Sequence, residues 1–253
     1  MSVDGDAASA EGDGVSANGD AVSGRPRLVG VGVGPGAPDL LTLRAVRAIQ
    51  AADVVFAPVR RAGERSLSLE IVAAHLDRSR QEIVSVLFPS TRGRARWREV
   101  AASLAERLEP DRYGAFLTEG DPLLFGTFGH VASALRSLRP DLCVETVPGI
   151  SSVTAAAAAA GVPLVDGDER LAIVPATARD LAEILSRFEC TVLLKVGPVI
   201  RETLALLDRL DLLDGAVYVR RCGQPEQTIV PDVRTLLAAP PDDYFALLIV
   251  HRR

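Results

Sequence analysis

Arg27-Leu28-Val29-Gly30-Val31-Gly32-Val33, followed at once by Gly34-Pro35-Gly36, is the stretch on which the fold turns. Branched apolar residues interleaved with glycine suit a strand that neighbouring backbone approaches closely, and Gly34-Pro35-Gly36 breaks it. Asp39 offers an N-cap for a helix running through Leu41, Leu43, Ala45, Val46 and Ile49. The same alternation continues. Strands are expected at Asp53–Ala57, where Pro58 stops the run, and at Glu82–Phe88, Tyr113–Thr118 and Leu142–Val147. Helices are expected at Ser66–Leu76, Arg94–Leu108 and Phe125–Leu138. Strand and helix in strict turn predict an α/β domain with a largely parallel sheet over residues 27–148.

Past Pro148-Gly149 an alanine-rich helix, Ser152–Ala160, opens a second α/β domain over residues 149–253. Its expected strands are Leu171–Val174, Thr191–Val196, Ala216–Arg220 and Tyr244–Val250. Its expected helices are Ala178–Phe188, Val199–Leu210 and a short one near Val233–Leu237. Upstream, residues 1–26 are Gly, Ala, Ser and Asp with almost no large apolar side chain. Such a segment cannot offset its ordering entropy by burial, so a disordered tail is expected there.

Composition narrows the function. Of 253 residues, 48% are hydrophobic and 24% charged, which are ordinary globular values. Lys plus Arg number 28 against 33 Asp plus Glu, a net charge of −5 that argues against a dedicated nucleic-acid binder. Nearly all the basic charge is arginine, Lys195 being the sole lysine. There is no run of 18 apolar residues and no basic start with an apolar core, so neither a membrane span nor a secretory signal is expected. Cys143, Cys190 and Cys222 form no CxxC pair, and His75, His130 and His251 do not join them at metal-ligand spacing. A cytoplasmic protein without a protein-bound metal is the simplest reading.

Three motifs fall at strand ends, where α/β folds hold ligands. Gly30-Val31-Gly32-Val33-Gly34-Pro35-Gly36 has the glycines of a dinucleotide fingerprint, but Pro35 removes an N–H where phosphate needs donors. Arg60 and Arg61 after the second strand leave NADP as a rival, the alternatives being a plain tight turn and a turn that holds another small ligand. In Thr118-Glu119-Gly120-Asp121-Pro122-Leu123-Leu124, Asp121 either caps the next helix or accepts hydrogen bonds from a ligand. In Val147-Pro148-Gly149-Ile150-Ser151-Ser152, Ser151 is a natural N-cap. No Ser–His–Asp or Cys–His arrangement is evident, and His130, on the helix after the second motif, reads as a structural or rim residue. Chemistry needing a triad or metal-activated water is therefore not expected. A reaction between two activated substrates that need alignment fits better.

Taken in order, these residues carry a resemblance. Gly32-Val33-Gly34-Pro35-Gly36, Asp39-Leu40-Leu41-Thr42-Leu43-Arg44-Ala45, Glu119-Gly120-Asp121-Pro122 and Val147-Pro148-Gly149-Ile150 resemble the tetrapyrrole methyltransferases of vitamin B12 and sirohaem synthesis. Phe88-Pro89-Ser90-Thr91-Arg92, Trp97 and Leu194-Lys195-Val196-Gly197 are most similar to the branch that methylates C20 of precorrin-2. Ala37, Ser90 and Gly126-Thr127-Phe128-Gly129-His130 depart from the usual pattern. The resemblance implies two α/β domains with a cofactor cleft between them, a homodimer, S-adenosylmethionine as methyl donor leaving as S-adenosylhomocysteine, and a tetrapyrrole acceptor. It implies cofactor contacts at Pro35, Gly120, Asp121, Leu124, Ser151, Ser152, Val196, Cys222, Gly223 and Gln224. Arg44, Arg92, Arg94, Lys195, Arg220 and Arg221 are candidates to hold acceptor carboxylates, the alternative for each arginine being a solvated surface charge. No side chain is assigned as a catalytic acid or base.

Overall fold

The computed structural model describes residues 26–88 and 94–252. The tail expected over residues 1–26, apart from Pro26, lies outside the described residues, as do Ser90, Thr91 and Arg92.

The first half builds one parallel sheet from β1 (Arg27–Gly32), β2 (Val54–Val59), β3 (Glu82–Leu87), β4 (Tyr113–Thr118) and β5 (Cys143–Val147), in the order β3-β2-β4-β1-β5. β1 lies between β4 and β5, with Val31 opposite both Leu117 and Val147. Successive side chains of a strand point to opposite faces, so each strand feeds two cores. Leu28, Phe56 and Phe116 pack with Leu104 and Val131 of helices α3 (Arg94–Ala105) and α4 (Phe128–Leu138). Val29, Val31, Val55 and Leu117 pack on the other face with Ala45 and Ile49 of α1 (Leu43–Ala51). A short α2 (Leu67–Ile71), capped by Ser66, follows β2.

Three local expectations are corrected. Asp39 does not cap α1: it lies in a 3-10 turn, Pro38–Leu40, and the Thr42 hydroxyl accepts from Ala45 N instead. Pro58 does not end β2. β4 pairs with β2 only through Phe56, so Pro58 sits where one edge of the strand is open, opposite Val86 of β3. And α4 starts at Phe128, because Phe125 has φ +55°, outside the helical region.

The second half starts with α5 (Ser152–Ala160), capped as read by Ser151 Oγ accepting from Thr154 N. A mixed sheet follows: β6 (Leu171–Pro175), β7 (Cys190–Leu194), β8 (Ala216–Arg220), β9 (Thr228–Val230) and β10 (Ala246–His251), in the order β6-β7-β10-β8-β9. Only β6 and β7 run parallel. One face packs Leu193, Tyr218 and Leu248 on α6 (Leu181–Arg187) and α7 (Ile200–Arg209). The other packs Val192, Val219 and Ile249 on the alanines of α5, on Ile150 just before it and on Leu40 from the first half. β9 was not expected, although Thr228-Ile229-Val230 is a β-branched run. β7 stops at Leu194 because Lys195 takes φ +58° and Val196 turns into a 3-10 segment. Among the described residues, no helix is long and apolar enough to cross a membrane.

Candidate active site

The loops after β1, β2, β4 and β5 leave the same edge of the parallel sheet. The residues after β7 and β8 and before β10 face them across a cavity of about 580 Å³.

The three sequence motifs meet in one backbone knot behind this cavity. Gly120 N donates to Gly34 O at 2.7 Å, and Gly34 N returns a longer bond of 3.4 Å to Gly120 O. Both glycines are left-handed, φ +77° at Gly34 and +67° at Gly120, a conformation other residues adopt at a cost. A Cβ on Gly149 would lie 2.2 Å from Gly120 O and 2.7 Å from Gly32 Cα, so the loop after β5 can sit this close only as glycine. Asp121 completes the knot. Its Oδ2 accepts from Gly149 N at 3.1 Å and its Oδ1 from Leu123 N at 2.8 Å. It is not the cap of α4, whose N-terminus lies at Thr127.

The opposite wall is held by its own clip. Arg221, at φ +50°, donates from Nε to Asp243 Oδ2 at 2.7 Å, while Phe245 N donates to Asp243 Oδ1 at 2.9 Å. Burial raises the Asp243 carboxyl, but Arg221 and the Phe245 N–H outweigh it and hold it below the usual value. The clip presents Tyr244 and Phe245, edge to face at 5.5 Å, to the cavity. The Arg60 guanidinium lies 3.9 Å from the centre of the Tyr244 ring, and Lys195 Nζ 5.8 Å from it. A third wall is aromatic: Phe88 and Trp97 sit 5.7 Å apart, and Trp97 stacks on His130 at 5.1 Å with planes 14° apart.

At the floor, Thr118 is only 7% exposed, lines the cavity, and has a buried hydroxyl with no partner among the described residues. Beside it Glu119 opens into the cavity. The surrounding protein raises its carboxyl above the ordinary value, against the pull of Arg60 and of a hydrogen bond from the Ser68 backbone.

Six residues read from the sequence line this cavity: Pro35, Leu124, Ser152, Lys195, Cys222 and Gln224. Gly120, Asp121, Ser151 and Gly223 lie in the loops behind the lining, with Gly36 and Ala37 packed against the Cys222–Gln224 turn. Val196 points away, fully buried in the second core. Arg44 is exposed on α1 and does not line the cavity. Arg220 bonds Thr228 Oγ1 at 3.0 Å between β8 and β9, and Arg221 serves the clip. Arg92 lies outside the described residues, and Arg94 is the first residue of α3. Sequence reading assigned no role to Thr118, Arg65, Tyr244 or Phe245. Arg60, which follows a strand, is the phosphate reader of the NADP alternative.

This cavity and the two sheets flanking it define the class. The chain belongs to the tetrapyrrole (corrin/porphyrin) methylases, whose family model matches residues 27–237. Its relatives are specific. It is 32% identical to the probable cobalt-precorrin-2 C(20)-methyltransferase of Methanocaldococcus jannaschii, over 89% of this chain and 96% of that one. It is 35% identical to the precorrin-2 C(20)-methyltransferase of a Sinorhizobium species, over 88% and 94%. Its fold matches that of uroporphyrin-III C-methyl transferase from Thermus thermophilus complexed with S-adenosyl homocysteine, at TM-score 0.66 and 26% identity over 89% of this chain and 97% of that one.

Proposed function

We infer that this chain transfers a methyl group from S-adenosylmethionine to C20 of precorrin-2 or its cobalt form. The observation that carries the reading is the convergence of the ordered motifs on one cavity, in a chain similar over most of its length to proteins named for that reaction.

The residues present fit the donor. Gly32, Gly120 and Gly149 let the loops behind the cavity pack closely, and the orphan Thr118 hydroxyl in the lining offers a nucleoside a buried polar partner. Pro35, Leu124, Ser152, Cys222 and Gln224 would hold it, with Gly120, Asp121, Ser151 and Gly223 fixing the loops. Val196 supports them from the core. When bound, the donor supplies an already activated methyl group.

Holding the acceptor against that methyl group is alignment by this chain. The flat Trp97–His130 wall suits the face of a macrocycle. Arg60, Arg65 and Lys195 line the cavity and take the acceptor carboxylates in this reading, since Arg221 is engaged by Asp243. Filling the cavity expels water from the reacting carbon. A cytoplasmic homodimer belongs to the reading. Leu43 and Leu123, 75% and 68% exposed, are the most open large apolar side chains among the described residues, and sedimentation velocity reads the association.

The test is incubation with methyl-labelled S-adenosylmethionine and precorrin-2, with and without cobalt. One label at C20 is expected. Label at another ring carbon would keep the family and overturn the position. No transfer to either acceptor would overturn the reading.

A further inference from the structure

Methylating a ring CH carbon releases a proton, and the site must dispose of it. The acceptor carbon forms a carbon–carbon bond while the sulfur–carbon bond breaks, its electron pair staying on sulfur. The macrocycle is left with one positive charge until its proton leaves and conjugation is restored. That charge would develop in a cavity already lined by Arg60, Arg65 and Lys195. In a water-poor site it needs a nearby anion or base.

We propose that the Glu119 carboxylate takes this proton. The inference rests on the methyl-transfer reading above. Among the described residues, two carboxylates line the cavity, Glu64 and Glu119. Both are exposed to solvent from the cavity side, and Glu64 sits on the turn after β2, where its Oε2 already accepts from Arg61 N at 3.0 Å. Glu119 follows the last residue of β4 at the floor, next to the unpartnered Thr118 hydroxyl. Its backbone is pinned by the neighbouring Gly120–Gly34 bridge, which sets where its side chain leaves the strand end for the cavity. Cys222 and His130 are the competing acceptors in the lining. Burial raises the Cys222 thiol and keeps it protonated. His130 belongs to the aromatic wall, where its ring face lies on Trp97. The surrounding protein raises the Glu119 carboxyl, which strengthens it as a base, while Arg60 favours the ionised form that accepts the proton.

The full-length Glu119→Gln variant tests this. Calorimetric affinities for S-adenosylhomocysteine and for precorrin-2, and the melting temperature, are expected to stay at wild-type values. Single-turnover product formation is expected to fall by roughly 10²- to 10⁴-fold, the usual range for a lost acid–base group. Absorption of the bound macrocycle should reveal the protonated methylated species accumulating. Should Gln impair folding, Glu119→Ala with added formate is the second variant, and formate must restore turnover. A loss well below tenfold, or a loss of precorrin-2 affinity in place of turnover, or no rescue by formate, overturns the proposal while leaving methyl transfer intact. A wild-type chain that methylates neither precorrin-2 nor its cobalt form would instead remove the reading beneath it.

Discussion

Replacing Asp121 by alanine should weaken the fold and the donor site together, because its carboxylate is the strut between two motif loops. The bond from Gly149 N is part-buried and that from Leu123 N is exposed. A hydrogen bond to a charged group is worth about 1.5–3 kcal/mol, and an exposed one lies nearer 0.5–1 kcal/mol. The loss is therefore about 2–4 kcal/mol. At roughly 2–4 °C per kcal/mol for a chain of this size, melting should fall by about 4–16 °C. The Gly149 loop runs directly into Ser151 and Ser152, and Gly120 is bridged to Gly34, so the slack reaches three of the loops that line the cavity. Affinity for S-adenosylhomocysteine should fall with stability. Differential scanning calorimetry and titration calorimetry on wild type, Asp121→Asn and Asp121→Ala read both, with Asn intermediate because it keeps one acceptor oxygen. An unchanged melting temperature with lost affinity would mean that Asp121 acts by touching the ligand and that the strut is idle.

Gly149→Ala should cost about 1–3 kcal/mol or more by overpacking, since its Cβ would meet backbone that cannot rotate away, and chemical denaturation reads the loss. A neutral result would show that the knot can open. His130→Gln should keep turnover well above the ~10²- to 10⁴-fold loss expected of a general base, because His130 serves the aromatic wall. Steady-state assay with donor affinity intact checks this. The Glu189 carboxyl is held by Arg170 from an ordinary value near 4.5 down to about 2. A depressed carboxyl stabilises the fold fully above pH 4.5 and loses that contribution as pH falls toward 2. Melting temperature across that window should therefore drop less steeply in Glu189→Gln, and parallel curves would refute the coupling.

Local chemistry made much of this chain readable. Strands β1 and β4 and helix α5 with its Ser151 cap follow from apolar alternation, glycine breaks and capping side chains, all of which act within a few residues. The same locality explains the misses. Asp39 is as good a cap as Thr42 in isolation, and only the 3-10 turn at Pro38 decides between them. Pro58 reads as a stop unless the neighbour on one edge is known to have ended. The left-handed backbone at Phe125, Lys195 and Arg221 is forced by the loops around it rather than encouraged by those side chains.

By itself the sequence determined the α/β alternation, the absence of a triad or metal-ligand spacing, and the motif order that resembles a methyltransferase. Tertiary structure alone decided what those motifs do to one another. The order β3-β2-β4-β1-β5 brings Gly34, Gly120 and Gly149 within bonding reach although more than a hundred residues separate the first from the last. It turns Asp121 from a cap into a strut, sets Glu119 on the cavity floor, and leaves Arg60 rather than Arg44 facing the cavity. The reason is that hydrophobic period and capping are read along the chain, whereas burial, charge neighbours and orphaned hydrogen bonds exist only between segments that the sheet has already placed side by side.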